Sequence, residues 1–321
     1  MTVAVVGGAG YIGAHVVDVL RARGEEVLVV DDLSTGVAAR VDGVPLARLD
    51  VTSTSHVDEL ARLLRDHDVD AIVHLAAHKR VDESVAHPTL YFRQNVSGLA
   101  HVLDAAVAAD VATVLLSSTA AVYGEPTDAL APIDEHAPTL PGNPYGESKL
   151  ACEQMLRAAA RAHRLRTSSL RYFNVAGAAR PELADLHAVN LVPIVLDRLR
   201  TRQPVQVFGG GLPTADGTPV RDYVHVADVA DAHVAVLDAL RAGHDVPDVL
   251  NLGTGHGSTV LEVVGAVARA YGQEPDVEIV DRRAGDPIAV VADVSRIAEV
   301  LGWRATRSLE DIAADAVRVA R

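Results

Sequence analysis

Short apolar runs alternate with longer stretches of helical periodicity through the first half of the chain. Residues 3–6, 26–30, 71–77, 111–118 and 166–173 are nearly continuous hydrophobic runs, as strands buried on both faces require. A shorter strand ends at Arg48-Leu49-Asp50-Val51. Between these runs, apolar positions recur with helical spacing over 14–23, 56–66, 90–108 and 148–161, the third reading as one long helix. The alternation predicts an α/β fold, a doubly wound parallel sheet, over residues 1–175. From Asn174 the pattern loosens. Short strands are expected at 205–208 and 277–280, and helices at 191–201, 226–242, 260–271, 295–301 and 309–319. This predicts a smaller, less regular α/β domain over 176–321, with part of 226–256 returning to the first domain.

Composition narrows the function. The 321 residues are 49% hydrophobic, enough for a large core. The net charge of −14 argues against a broad nucleic-acid surface, though not against a local basic pocket for an anionic small molecule. One cysteine, Cys152, allows neither an internal disulfide nor a thiolate metal cluster. No apolar run reaches the roughly 18 residues of a membrane span. The first residues lack the basic and apolar regions of a secretion signal. A cytoplasmic protein without membrane contact is therefore expected.

Candidate chemistry gathers at the ends of the expected strands. Gly7, Gly10 and Gly13 follow the first strand and open the first helix, the context in which glycines let a backbone approach a pyrophosphate at a helix N-terminus. This makes the sheet a Rossmann-type one. Asp31 ends the second strand, where a carboxylate would hold the adenosine ribose. No arginine occurs in Asp31-Asp32-Leu33-Ser34-Thr35-Gly36 to receive a 2′-phosphate, so NAD is favoured over NADP. Asp50 is placed for the adenine edge. His74 and His78 are four apart, but across a strand end that spacing does not converge, so no metal site is expected. The fifth strand ends in Ser117-Ser118-Thr119, a hydroxyl cluster in the ligand crevice. Tyr145 and Lys149 then share one helical face, one turn apart. A phenol with a pKa of about 10 becomes a base at neutral pH only if stabilised by about 4 kcal/mol. The lysine supplies part of that, and a cationic cofactor ring would add to it.

With Gly7, Gly10, Gly13, Thr119 and the Tyr145/Lys149 pair in this order, the chain resembles the extended short-chain dehydrogenase/reductase superfamily. Arg171-Tyr172-Phe173-Asn174, Arg221-Asp222-Tyr223-Val224-His225-Val226 and Arg282-Arg283-Ala284-Gly285-Asp286 narrow the resemblance to its UDP-glucose 4-epimerases, from residue 1 to about residue 320. The resemblance implies interconversion of UDP-galactose and UDP-glucose by transient oxidation at C4 of the hexose, with NAD as cofactor. Tyr145 would be the base and later the acid, Lys149 would hold the nicotinamide ribose and lower the tyrosine pKa, and Thr119 would bond the reacting oxygen. On the NAD side it implies Tyr11, Ile12, Asp31, Asp32, Leu33, Ser34, Thr35, Gly36, Asp50, Val51, Leu75, Ala76, Ala77, Lys79, Asn95 and Phe173, besides the glycines and the catalytic pair. For the UDP-hexose it implies Arg221 and Arg283 on the diphosphate, and Asn174, Asn190 and Leu191 on diphosphate and sugar. It also implies Gln206, Val207 and Phe208 on the uracil, Asp286 on the uridine ribose and Val290 beside the sugar.

Two departures stand out. Thr119 replaces the serine of many members with the same hydrogen-bonding capacity. Val290 stands where some members carry a tyrosine, which implies room for a 2-N-acetyl group and activity on UDP-N-acetylgalactosamine or UDP-N-acetylglucosamine. A dehydratase is disfavoured because Thr119 is followed by Ala120-Ala121 rather than Asp-Glu, and a non-catalytic NAD sensor because the Tyr–Lys pair is intact. A C4 epimerase or decarboxylase acting on UDP-glucuronate or UDP-pentose stays open. The resemblance also implies a homodimer built on the helices at 90–108 and 148–161.

Overall fold

The computed structural model describes residues 1–126, 130–185, 190–282 and 286–320. Its strands are β1 (Thr2–Val6), β2 (Glu26–Asp31), β3 (Leu46–Arg48), β4 (Val69–His74), β5 (Thr113–Thr119), β6 (Arg166–Tyr172), β7 (Asn174–Ala176), β8 (Val205–Phe208), β9 (Val220–His225), β10 (Val249–Leu252), β11 (Gly257–Thr259), β12 (Val277–Val280) and β13 (Ala289–Val290). Its helices are α1 (Tyr11–Ala22), α2 (Val57–Asp66), α3 (Val81–Ala86), α4 (Pro88–Tyr91), α5 (Gly98–Ala108), α6 (Pro144–His163), α7 (Leu191–Thr201), α8 (Val226–Arg241), α9 (Val260–Tyr271), α10 (Ser295–Leu301) and α11 (Leu309–Ala320).

The apolar runs pair into a seven-stranded parallel sheet of order β10-β6-β5-β4-β1-β2-β3. All seven residues of β5 are buried, which is why its sequence does not alternate. One face packs on α1 and α8, the other on α2, α5 and α6. Strand order reverses between β1 and β4, so the chain leaves these neighbours in opposite directions and opens a crevice at their C-terminal ends. β10 and α8, from 226–252, join this sheet. The sequence pattern misses β10 because Asn251 interrupts its apolar run. Elsewhere β11-β9-β13, with β7 on β9, form a second sheet, and β12-β8 a third, both packed by α7, α9 and α11.

Two helices differ from the sequence expectation. The helix expected over 90–108 is three pieces, with a π-helical turn at Phe92–Ser97 between α4 and α5. Such turns occur frequently at functional sites, and this one buries Asn95. α6 begins at Pro144 rather than 148, because Asn143 caps it by accepting the Gly146 N–H and proline fits the first helical position. Tyr145 therefore lies in the first turn of the helix that carries Lys149.

The core holds neutral imidazoles. Burial pulls His15 and His233 down to about 4 and His74 to about 3, below the ordinary 6.5. Below pH 6.5 the unfolded chain binds protons that these folded histidines refuse, so their contribution is full above 6.5 and lost as pH falls toward 4. Each steepens the loss by at most about 1.4 kcal/mol per pH unit. Thermal melts should show the melting temperature falling steadily through that window, and a flat profile would contradict neutral burial.

Candidate active site

At the reversal point Gly7 leaves β1 with φ +83°, and a Cβ there would lie 2.5 Å from the Ala76 N. The Leu75 and Ala76 N–H groups both donate to the Val6 carbonyl, so the loop after β4 is held against the glycine turn. A Cβ on Gly13 would strike the Gly7 carbonyl. Gly10 starts α1 with no side-chain cap and no acidic residue in the first turn, leaving its N–H groups available to an anion. Asp31 accepts the Ala9 and Leu33 N–H groups, both at 2.9 Å, tying the glycine turn to the loop after β2. Burial nonetheless raises its pKa.

Asp32 accepts from Ser34, a Cβ on Gly36 would press on the Asp31 carboxylate, and Asp50 accepts from both the N–H and hydroxyl of Thr52. The Val51 carbonyl bonds His101. Lys79 Nζ lies 5.9 Å from the centre of the Tyr11 ring, whose hydroxyl donates to the Gly177 carbonyl. Asn95 is saturated differently from the expectation of direct cofactor contact. Its side chain bonds the His78 backbone at both ends and the Ser148 hydroxyl, so it fixes the loop after β4 to α6. These features, an open helix start beside a cradle that no side chain could share, fit a dinucleotide.

Thr119 ends β5, and its hydroxyl acts on the Tyr145 phenol to lower its pKa, the two residues being 9% and 8% exposed. The Thr119 Oγ also accepts the Ala121 N–H at 3.2 Å. Tyr91 meets the Tyr145 ring edge-on, 6.3 Å between centroids. Lys149 is 3% exposed, and its ammonium has no hydrogen-bond or ion-pair partner among the described residues. In the protein alone, burial dominates and raises the Tyr145 pKa, opposed only by Thr119, while burial lowers that of Lys149. The protein alone therefore holds a neutral phenol, and positive charge must be added before the proton leaves.

The residues expected for a nucleotide sugar are spread over several elements. Arg221 donates to the Asp286 carboxylate at 2.5 Å, which brings together side chains 65 positions apart. Asn190 precedes α7 and donates to Asp185, and Leu191 is the first residue of that helix. Phe173 is buried beside Tyr123, Ile133 and the half-buried Val290, and Asn174 is exposed. In β8, Gln206 is exposed and bonds Glu278, whereas Val207 is a core residue with 0% exposure. Its side chain cannot touch a uracil, and only its backbone is available. Phe208 is half-buried at the end of the strand. Arg283 lies outside the described residues. A cavity of about 320 Å³ opens between Tyr11, Gly177, Asn190 and Leu196, and the catalytic trio is not part of its wall.

Sequence reasoning gave no role to Asp222, inside the Arg-Asp-Tyr-Val-His-Val motif. It is fully buried and accepts the N–H groups of Thr254, Gly255 and Ala292 and the Thr254 hydroxyl. It thereby anchors the segment that follows Val290. It also passed over Glu153, a charge on the apolar face of α6.

Comparison with known proteins agrees with this geometry. Residues 3–253 match the NAD dependent epimerase/dehydratase family. The chain is 45% identical to the UDP-glucose 4-epimerase of Azospirillum brasilense over 94% of its own length and 86% of that protein. It is 43% identical to that of Lacticaseibacillus casei, over 95% and 92%. A UDP-glucose 4-epimerase from Stenotrophomonas maltophila, solved with bound NAD and formylated UDP-arabinopyranose, superposes with a TM-score of 0.94 at 38% identity, covering 100% of this chain and 98% of that one. One from Bifidobacterium longum, in complex with NAD+ and UDP, gives 0.88 at 36% identity over 99% and 98%. The chain belongs to the NAD dependent epimerase/dehydratase family and, within it, groups with the UDP-glucose 4-epimerases.

Proposed function

We propose that this chain interconverts UDP-galactose and UDP-glucose by transient oxidation at C4 of the hexose. The observation that carries the proposal is the buried Tyr145 with Thr119 acting on its phenol, one helical turn from a buried, partnerless Lys149, at the strand ends where ligands of such sheets bind. NAD, held by the glycine turn, the start of α1 and Asp31, supplies the acceptor and donor of hydride. Tyr145, once deprotonated, removes the proton of the 4-hydroxyl, and Thr119 holds the same oxygen. Lys149 offers donors to ribose hydroxyls and a positive charge near the phenolate. The ketone then turns in the pocket, and Tyr145 returns the proton on the new face. The net change is an isomerisation. Arg221 would supply charge-assisted bonds to the diphosphate, and Asp286, which Arg221 holds by a hydrogen bond, would meet the uridine ribose. Purified protein given UDP-galactose and no added cofactor should produce UDP-glucose on a chromatogram. No product, even with NAD supplied, would defeat the reading.

The wall at Val290 refines the substrate range. This half-buried valine on β13 pairs with Arg221 on β9 and packs by Phe173 and Tyr123. The space that a tyrosine would fill admits a 2-N-acetyl group. Val290→Tyr should cut turnover of UDP-N-acetylgalactosamine about tenfold or more relative to UDP-galactose, within the range that pocket contacts discriminate. An unchanged ratio in steady-state kinetics would remove Val290 from this role. A homodimer belongs to the same reading, supported by Val81, Val85 and Phe92, which stay 47%, 64% and 38% exposed on adjoining helical segments. Sedimentation should find a dimer that Val85→Asp with Phe92→Asp converts to monomer, and an unaltered mass would exclude this face. No helix among the described residues is long and apolar enough to cross a membrane. A cytoplasmic location is supported by the single cysteine.

A further inference from the structure

One row of the large sheet is polar on three successive strands. Ser118 on β5 pairs with Arg171 on β6, which pairs with Asn251 on β10. The next row toward the crevice is Thr119, Tyr172 and Leu252. Above the polar row sits Glu153 of α6, with 0% exposure. Its carboxylate accepts the Ser118 hydroxyl at 2.6 Å and the Arg171 Nε and Nη2 at 2.9 and 2.6 Å. The guanidinium lies 4.8 Å from the centre of the Tyr123 ring, and the Tyr123 hydroxyl donates to Asn251 at 2.6 Å. Asn251 in turn donates its side-chain amide to the Ile133 carbonyl and its backbone N–H to the Glu135 carboxylate.

We propose that Glu153 is a positioning residue for catalysis, clamping the helix that carries Tyr145 and Lys149 to the strand end that carries Thr119. Glu153 follows Lys149 by four residues and Tyr145 by eight, so all three lie along one face of α6. Ser118 is the neighbour of Thr119. The carboxylate thus fixes two turns of the helix against the strand end that sets Thr119 by Tyr145. A misplacement of about 1 Å in such a constellation costs on the order of a hundredfold in rate. Stability alone does not account for the arrangement, because a buried ion pair is generally matched by apolar residues of similar volume. Here the Arg171 Nη1 is left without a partner. The carboxylate also lies one turn from the Lys149 ammonium and favours its charged form against burial.

This inference rests on the epimerase reading, so the test runs wild-type protein alongside. Failure of the wild type to convert UDP-galactose defeats that reading, whereas equal rates in wild type and variants defeat this one. The double variant Glu153→Met with Arg171→Met replaces the pair by apolar side chains and avoids an orphaned charge. It should keep its melting temperature and its KM for UDP-galactose, while kcat falls by at least about tenfold. Arg171→Lys, which keeps a cation on the carboxylate, should retain most of kcat. An unchanged kcat in the double variant would overturn the proposal. So would a loss of stability with kcat and KM moving together, which marks packing alone. Ser118→Ala, which leaves the ion pair and the fold in place, reads the strand contact separately. It should lower kcat about fivefold at constant KM if one hydrogen bond of the clamp is lost, and no loss overturns the clamp even if the double variant does not fold.

Discussion

Tyr145→Phe is expected to lower kcat roughly a thousandfold, within the range that proton transfer by a positioned side chain supplies. The loss is large because one hydroxyl serves both halves of the reaction, taking the proton and giving it back. Phenylalanine keeps the ring that Tyr91 meets edge-on at 6.3 Å and removes only the phenol oxygen. The fold, the cofactor content and the KM for UDP-galactose should therefore change little. A variant within about tenfold of wild type, assayed under saturating substrate, would mean that another group carries the proton.

Lys149→Met should separate activity from stability. The wild-type ammonium is buried, without a partner among the described residues, and burial pulls its pKa down, all of which cost the folded state. Methionine fills a similar volume without charge. The melting temperature should hold or rise, while kcat falls by about a hundredfold or more and bound NAD is lost on gel filtration. Loss of stability with kcat intact, measured by thermal melts and single-turnover assays, would assign Lys149 to the fold instead of the site. On this account a bound cofactor would supply the partners that Lys149 lacks in the free protein.

The strands of the large sheet were legible because burial on both faces writes itself as unbroken apolar runs, as in 111–118. The glycine turn, Thr119 and the Tyr145–Lys149 pair were legible because their chemistry depends on local spacing. What the chain hides is of two kinds. Long-range pairings such as Arg221 with Asp286 leave no local signature, and neither does the saturation of Asn95 by His78 and Ser148. Short strands such as β10 and β13 are defined by the partner they join rather than by their own pattern. Val207 is a different case, with only its backbone free for the expected contact. An alternating strand has one residue outward and the next inward, so a three-residue contact assigned from likeness necessarily includes a core position. Glu153 was passed over because a charge inside an amphipathic helix reads as solvated, and only the opposing Ser118 and Arg171 reveal it as buried.

The central claim is that hydrogen leaves C4 and returns to C4 without meeting water. The direct test is to equilibrate UDP-galactose carrying deuterium at C4 with the purified protein and to examine the UDP-glucose formed by mass spectrometry and NMR. Full retention of the label at C4, in ordinary water, is the predicted result. Washout of the label, or uptake of deuterium at C4 from heavy water, would show that the carbon is deprotonated by a base and would contradict a transient oxidation at this site.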